Sequence, residues 1–201
     1  MRIILRYTLP FLATILISSQ AISDELSYSY AQGGYQTFTG DADDGFFLGG
    51  SFRINDDIYI YGEYDQWETS QRVGGVRGSV EFTSLSVRGG YIFPIEEGFD
   101  VYGEAGLARN EIKSKASGGG FSVSMSDDDI GLVLAGGVRM LLTPEFEARG
   151  GLELFTGDYD EKFLIGEGVY HLNEQFSLTG SAARALDVSE FRLRIGARFN
   201  F

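Results

Sequence analysis

Apolar and polar residues alternate with period two over most of the chain, and no long helical pattern competes with that rhythm. In "GFFLGGSFRI", Phe46, Leu48, Gly50, Phe52 and Ile54 fall on one face and Arg53 on the other. In "LSVRGGYIF", Leu85, Val87, Gly89, Tyr91 and Phe93 oppose Arg88. "IGLVLAGGVRM" sets Ile130, Leu132, Leu134, Gly136, Val138 and Met140 against Arg139. "FEARGGLEL" sets Phe146, Ala148, Gly150, Leu152 and Leu154 against Glu147, Arg149 and Glu153. The final "FRLRIGARFNF" repeats the scheme, with Phe191, Leu193, Ile195, Ala197, Phe199 and Phe201 opposite Arg192, Arg194 and Arg198. The pattern predicts an all-β chain of ten strands, at about 25–36, 45–54, 58–67, 80–93, 99–110, 129–141, 146–155, 161–172, 175–184 and 190–201.

The connections alternate in kind. Short turns fall at 55–57, 94–98, 142–145 and 173–174. Longer polar segments fall at 37–44, 68–79 and 111–128, with shorter ones at 156–160 and 185–189. An apolar residue followed four places later by glycine recurs after each short turn, at Ile58–Gly62, Phe99–Gly103, Phe146–Gly150 and Phe176–Gly180. This is a weak repeat of one hairpin unit. No composition shift marks a second domain.

The first residues obey a different rule. Arg2 and Arg6 precede the apolar run "YTLPFLATILIS", and Ser19 and Ala21 occupy the small-residue positions of a cleavage site. The run is too short for a spanning helix, which needs about 20 residues. Residues 1–21 therefore read as a cleaved export signal and 22–201 as a single β-barrel domain.

Composition narrows the choice of solvent for the apolar face. The net charge is −13, and removing Arg2 and Arg6 with the signal takes it to −15. That balance argues against a nucleic-acid binder, which would carry a basic patch. There are no cysteines. A soluble β-sandwich turns its charges outward, whereas a transmembrane barrel turns them inward and faces lipid with its apolar residues. The polar strand faces favour the second. They carry Arg53, Arg88, Arg139, Arg149, Arg192, Arg194 and Arg198 against Glu63, Glu104, Glu147, Glu153 and Glu167, and no lysine. A planar guanidinium pairs bidentately with carboxylate in a confined interior. Strands of roughly 10 residues suit a tilted crossing, and aromatics near strand ends suit interfacial girdles. The expected architecture is a ten-stranded, antiparallel, up-and-down transmembrane β-barrel, with eight strands the alternative. No water meets a sheet edge in lipid, so the first strand must pair with the tenth.

A signal peptide, ten amphipathic strands and a terminal Phe201 preceded by Phe199 resemble a Gram-negative outer-membrane barrel. "LSYSYAQGGY" (26–35) followed by "GDADDGFFLGGSF" (40–52) is similar to the start of the small Ax-type family, grouped with porin-like opacity barrels. The resemblance implies residence in the cell outer membrane, and it makes Phe199 and Phe201 a C-terminal signal for the barrel-assembly machinery. It transfers no functional residue.

Candidate chemistry is sparse. The one histidine, His171, falls at the periplasmic end of the eighth strand, and the strand assignment places no serine cluster near it. No catalytic pair, cofactor motif or metal ligand set is expected. Acidic clusters at 40–45, 126–129 and 157–161 read as solvated loop charge, with weak cation binding as the alternative. Arg72, Arg77, Lys113 and Lys115 are the loop cations able to meet lipopolysaccharide phosphates. The expected role is that of a non-enzymatic, monomeric barrel, structural or surface-exposed, in contact with outer-membrane lipid and lipopolysaccharide. A narrow porin-like channel is the first alternative. An adhesion or recognition protein acting through loops 68–79 and 111–128 is the second.

Overall fold

The computed structural model describes residues 26–39, 44–73, 75–118, 120–157, 160–186 and 191–201. The proposed signal segment 1–21 lies outside them. So do Asp41 and Asp43 of the first acidic cluster and residues 158–159 of the third.

Ten strands form, in order β1 (Tyr30–Phe38), β2 (Asp44–Arg53), β3 (Ile58–Val73), β4 (Val76–Glu96), β5 (Phe99–Gly118), β6 (Phe121–Thr143), β7 (Phe146–Thr156), β8 (Glu161–His171), β9 (Phe176–Ala185) and β10 (Phe191–Asn200). Each pairs antiparallel with its neighbours, and β1 pairs with β10 over Tyr30↔Asn200 to Phe38↔Arg192, closing the barrel. Closure leaves the membrane-level ladder without an edge, as lipid requires.

The inversion of faces is plain in the exposures. Leu134, Leu152, Leu178, Leu193 and Ile195 are exposed on the outer wall, Ile195 at 67%. Arg88, Glu104, Arg139, Glu147 and Arg198 are buried inside. Outward aromatics mark the two membrane boundaries. Near the periplasm, Tyr91 packs on Phe93 (4.5 Å between centroids) and Phe176 on Phe199 (5.2 Å). On the opposite side Phe46 meets Tyr64 at 5.8 Å. Phe191 and Phe199 lie about 26 Å apart along β10 at the usual strand rise, close to the apolar band of such barrels once tilt is allowed for.

The main departure from the sequence reading concerns 68–79 and 111–128, expected as loops. They are strand. Val73 pairs with Val76 and Gly118 with Phe121, so β3–β4 and β5–β6 are continuous hairpins closed by tight turns. Gly75 and Gly120 carry φ values of 85° and 87°, the left-handed conformation that such two-residue turns demand. With 23 residues, β6 is about 75 Å long. A four-stranded sheet therefore projects from the extracellular side.

Side-chain polarity changes sides along this sheet. At membrane level the outward positions of β3–β6 are apolar, among them Ile60, Leu85, Leu107 and Leu132. In the projection the outward positions become Glu68, Arg72, Arg77, Glu81, Lys113, Lys115 and Asp128. The lumen-side positions become Trp67, Phe82, Val80, Ile112, Met125, Val123 and Phe121. The pleat is uninterrupted, with no register shift between the two levels, so only the surrounding solvent has changed. The polar composition of these segments imitated loops because the charged half of each strand had changed face.

The periplasmic end is closed by the chain itself. Leu26, Tyr28 and Tyr30 join Tyr59, Tyr61 and Ile92 in a buried cluster. Tyr28 donates to Asp100 of β5 (3.1 Å), and the Ser27 carbonyl accepts from Arg139 of β6 (3.0 Å). In the ring of ten, β6 stands diametrically opposite β1. Residues 26–29 thus enter the lumen far enough to be held by side chains of β5 and β6. Close packing continues above them: the Tyr59 ring lies on Gly90, where any Cβ would overlap it.

Candidate functional site: the charged lumen and its extracellular mouth

Alternation places every second residue inside, and the antiparallel registers bring arginines of one strand level with carboxylates of another. Arg88 (β4) binds Glu153 (β7) at 2.6 Å and Glu104 (β5) at 3.3 Å. Glu104 also holds Arg149 (3.2 Å) and accepts from the Tyr59 hydroxyl (2.7 Å). Arg149 reaches Glu167 at 3.9 Å, and Glu167 binds Arg198 at 2.8 Å. Arg198 approaches Glu147 at 3.9 Å, and Glu147 binds Arg139 at 2.8 Å. One continuous chain of charges therefore runs through β4, β5, β7, β8, β10 and β6. A second group joins Arg194 to Glu63 (3.2 Å), to Asp65 and to Gln36 (3.1 Å).

Tyrosines interleave with the arginines. Arg198 lies 4.0 Å from the Tyr30 centroid, Arg139 4.2 Å from Tyr28 and Arg149 4.4 Å from Tyr102. A guanidinium stacked on a ring and forked onto carboxylates is held in one orientation.

Two of the arginines anticipated for this network stand outside it. Arg53 lies at the β2–β3 turn, donating to the carbonyls of Asn55 and Asp56. It is the last residue of its strand, too near the turn to reach the lumen's carboxylates. Arg192 is a lumen residue with no ion pair among the described residues. Its guanidinium sits 5.4 Å from the Phe163 ring, and its buried Nε has no hydrogen-bond partner among the described residues.

Sequence reasoning missed two features. Asp65 shares Arg194 with Glu63, although its place two residues further along the same strand was the available signal. His171 also has company: Ser177 stands opposite it across the β8–β9 hairpin, with Oγ 2.9 Å from His171 Nδ1. Glu147 is 3.9 Å from His171 Nε2. The strand assignment set no serine cluster near this histidine, and the register of the β8–β9 turn brings one serine to it. The trio has catalytic residue types without catalytic access. Ser177 is 1% exposed, its Oγ accepts from Asn200 (3.3 Å), and Glu147 is committed to Arg139. The second acidic cluster likewise belongs to strand β6 rather than to a loop, and Asp128 pairs with Arg109 at 3.3 Å.

Two spaces lie one above the other in the lumen. A cavity of about 220 Å³ opens at the mouth, walled by Phe38, Trp67, Phe82, Phe155 and Phe163. Its floor carries Glu63, Asp65, Arg88, Glu153 and Arg192. Trp67 stacks on Phe82 at 4.0 Å and meets Phe38 at 4.9 Å. Below it, between Tyr61, Tyr102 and Arg149, lies a smaller space of about 50 Å³. Further down lies the buried cluster of residues 26–30.

No curated protein matches the chain. Among solved structures, the translocator domain of the autotransporter NalP from Neisseria meningitidis is similar at 14% identity. That match covers 86% of this chain and 88% of that one, with a TM-score of 0.56. Ail, the attachment invasion locus protein of Yersinia pestis, matches at 21% identity over 87% of this chain and 99% of its own, with a TM-score of 0.46. The N-terminal barrel domain of Pseudomonas aeruginosa OprF matches at 17% identity over 87% and 98%, with a TM-score of 0.42. The first of these similarities speaks to fold alone. The family model described as the outer membrane protein beta-barrel domain matches residues 9–199. With its closed ring of ten strands, apolar outer wall and charged lumen, the chain belongs to the outer membrane protein beta-barrel family and resides in the outer membrane.

Proposed function

We propose that this is a non-enzymatic, non-conducting surface barrel, whose working parts are its extracellular mouth and projecting sheet. The observation that carries the reading is the filled lumen. Ion pairs occupy the middle, and residues 26–29 enter the periplasmic end, where Arg139 of β6 reaches in to the Ser27 carbonyl. A barrel of this size has room for little more than its own side chains. Refolded protein in planar bilayers is expected to give no current steps under an applied voltage. Reproducible steps of one size would replace this reading with the narrow channel.

Partners follow from the outer surface. The outward face of the projection sets Arg72 directly opposite Arg77, with Lys115 on the same face. Like charges in such cross-strand pairs repel, and lipopolysaccharide phosphates at that height would relieve the repulsion. The apolar belt needs lipid and no second copy, so the barrel acts as a monomer. Residues 1–21 serve export. Phe199 and Phe201 serve delivery to the assembly machinery, supported by their outward, exposed rings at the end of the closing strand. Deleting Phe201 is expected to lower severalfold the heat-modifiable, outer-membrane fraction in cells while leaving refolding in detergent intact. An unchanged cellular yield would remove that role.

A further inference from the structure

The aromatic cup at the mouth is continuous with the apolar face of the projecting sheet. A second space of about 200 Å³ lies beside the first, between Phe82, Ile112 and Phe155 on one side and Asp127, Asp129 and Glu161 on the other. The row Trp67–Phe82–Ile112–Asp127 runs straight across β3, β4, β5 and β6, so the apolar wall ends in a carboxylate. Above it Val80, Val123 and Met125 line an open groove with Thr69 and Ser114.

The rings of the cup are half-buried and Phe155 is buried, but Val80, Ile112, Val123 and Met125 beside and above them are exposed, and exposed apolar side chains above a membrane oppose solubility. Here they face the lumen axis rather than lipid, so bilayer contact does not explain them. The charges beside them are unbalanced. On the floor the charges balance: Glu63 and Asp65 are met by Arg194, Glu153 by Arg88, and Arg192 adds a third guanidinium, so the excess lies at the rim. At the rim, neither Glu161 nor Asp127 has a lysine or arginine at ion-pair distance among the described residues. Around the two spaces, with Asp129 set aside, five carboxylates (Glu63, Asp65, Asp127, Glu153, Glu161) meet three arginines (Arg88, Arg192, Arg194). The field at the mouth is negative, and low-dielectric walls focus it. Ring faces present their negative quadrupole to a cation.

We propose that the mouth is a binding site for a small organic cation with an aromatic or short-alkyl body. The body packs between Trp67 and Phe155, and the ammonium group lies toward Glu161 and Asp127. The site takes the cation from the external medium. Since it requires only the mouth, a conducting barrel would leave the inference intact.

Trp67 is the sole tryptophan of the chain, so its emission reports on this cup alone. The full barrel is refolded into nanodiscs of neutral phosphatidylcholine and titrated with benzyltrimethylammonium, and in parallel with benzenesulfonate. A saturable change in Trp67 emission is expected with the cation and none with the sulfonate. In the double variant Glu161→Gln, Asp127→Asn, the cation midpoint should rise at least tenfold. Phe82→Ala should raise it as well. Heat-modifiable gel mobility verifies that each variant is folded, and the cation–anion comparison on the unaltered protein decides the matter should one fail. No saturable response to the cation, an equal response to the sulfonate, or an unchanged midpoint in a folded double variant would each overturn the proposal.

Discussion

Replacing Glu147 by leucine is expected to destabilise the barrel by roughly 3–5 kcal/mol, the cost of leaving a buried charge without its partner. Glu147 is 2% exposed. Its Oε1 accepts from Arg139 at 2.9 Å, and Arg198 and His171 approach it at 3.9 Å. Among the described residues Arg139 would keep the Ser27 carbonyl and the Tyr28 ring, while Arg198 would retain Glu167 and Gln32. Reversible urea unfolding in lipid vesicles measures the loss. Two controls separate a buried pair from a general need for charge. Arg53→Gln should cost under about 1 kcal/mol, because its partner Asp56 is fully exposed. Arg139→Met combined with Glu147→Met should cost less than Glu147→Leu alone, since both charges leave together. An E147L barrel within about 1 kcal/mol of the parent would mean that water already screens the lumen, and the filled interior would lose its energetic meaning.

The second large effect is expected on the outer wall. Ile195 is exposed and lies between the girdle residues Phe191 and Phe199, at the middle of the hydrocarbon. Ile195→Arg should cost about 2–4 kcal/mol, the usual depth-dependent penalty for arginine at the midplane. Ser126 occupies an outward position too, on β6 level with Lys113. Ser126→Arg should be nearly silent, because that height lies among the charged outward residues. Together the two variants measure where the membrane ends. Equal costs would place the projection inside the bilayer and contradict the exchange of faces. Equal silence would remove lipid from the outer wall altogether.

Much of this was legible in one dimension. Period two and the Arg–Glu face gave the strand class, the inversion of faces and the expectation of closure. These depend on local alternation, which survives into any sheet. The ends of β3–β6 were not legible. "VRGSVEFT" and "FSVSMSDDD" also alternate, but their polar residues sit outward instead of inward, and composition alone cannot tell a solvated strand from a loop. Asp65 and Ser177 were missed, and Arg192 was assigned a partner it lacks, for a related reason: a partner is chosen by register and curvature, across 129 residues for Arg194 and Asp65.

The sequence by itself determined the kind of surface each strand presents, and hence an export-competent barrel that hides arginines from lipid. Only the tertiary structure decided which arginine meets which carboxylate, that residues 26–29 enter the lumen and are held by side chains of β5 and β6, and that five aromatic rings converge at the mouth. Side-chain alternation is a property of one strand. Pairing, sealing and cavity shape belong to a closed ring, where strands distant in the chain share one small interior.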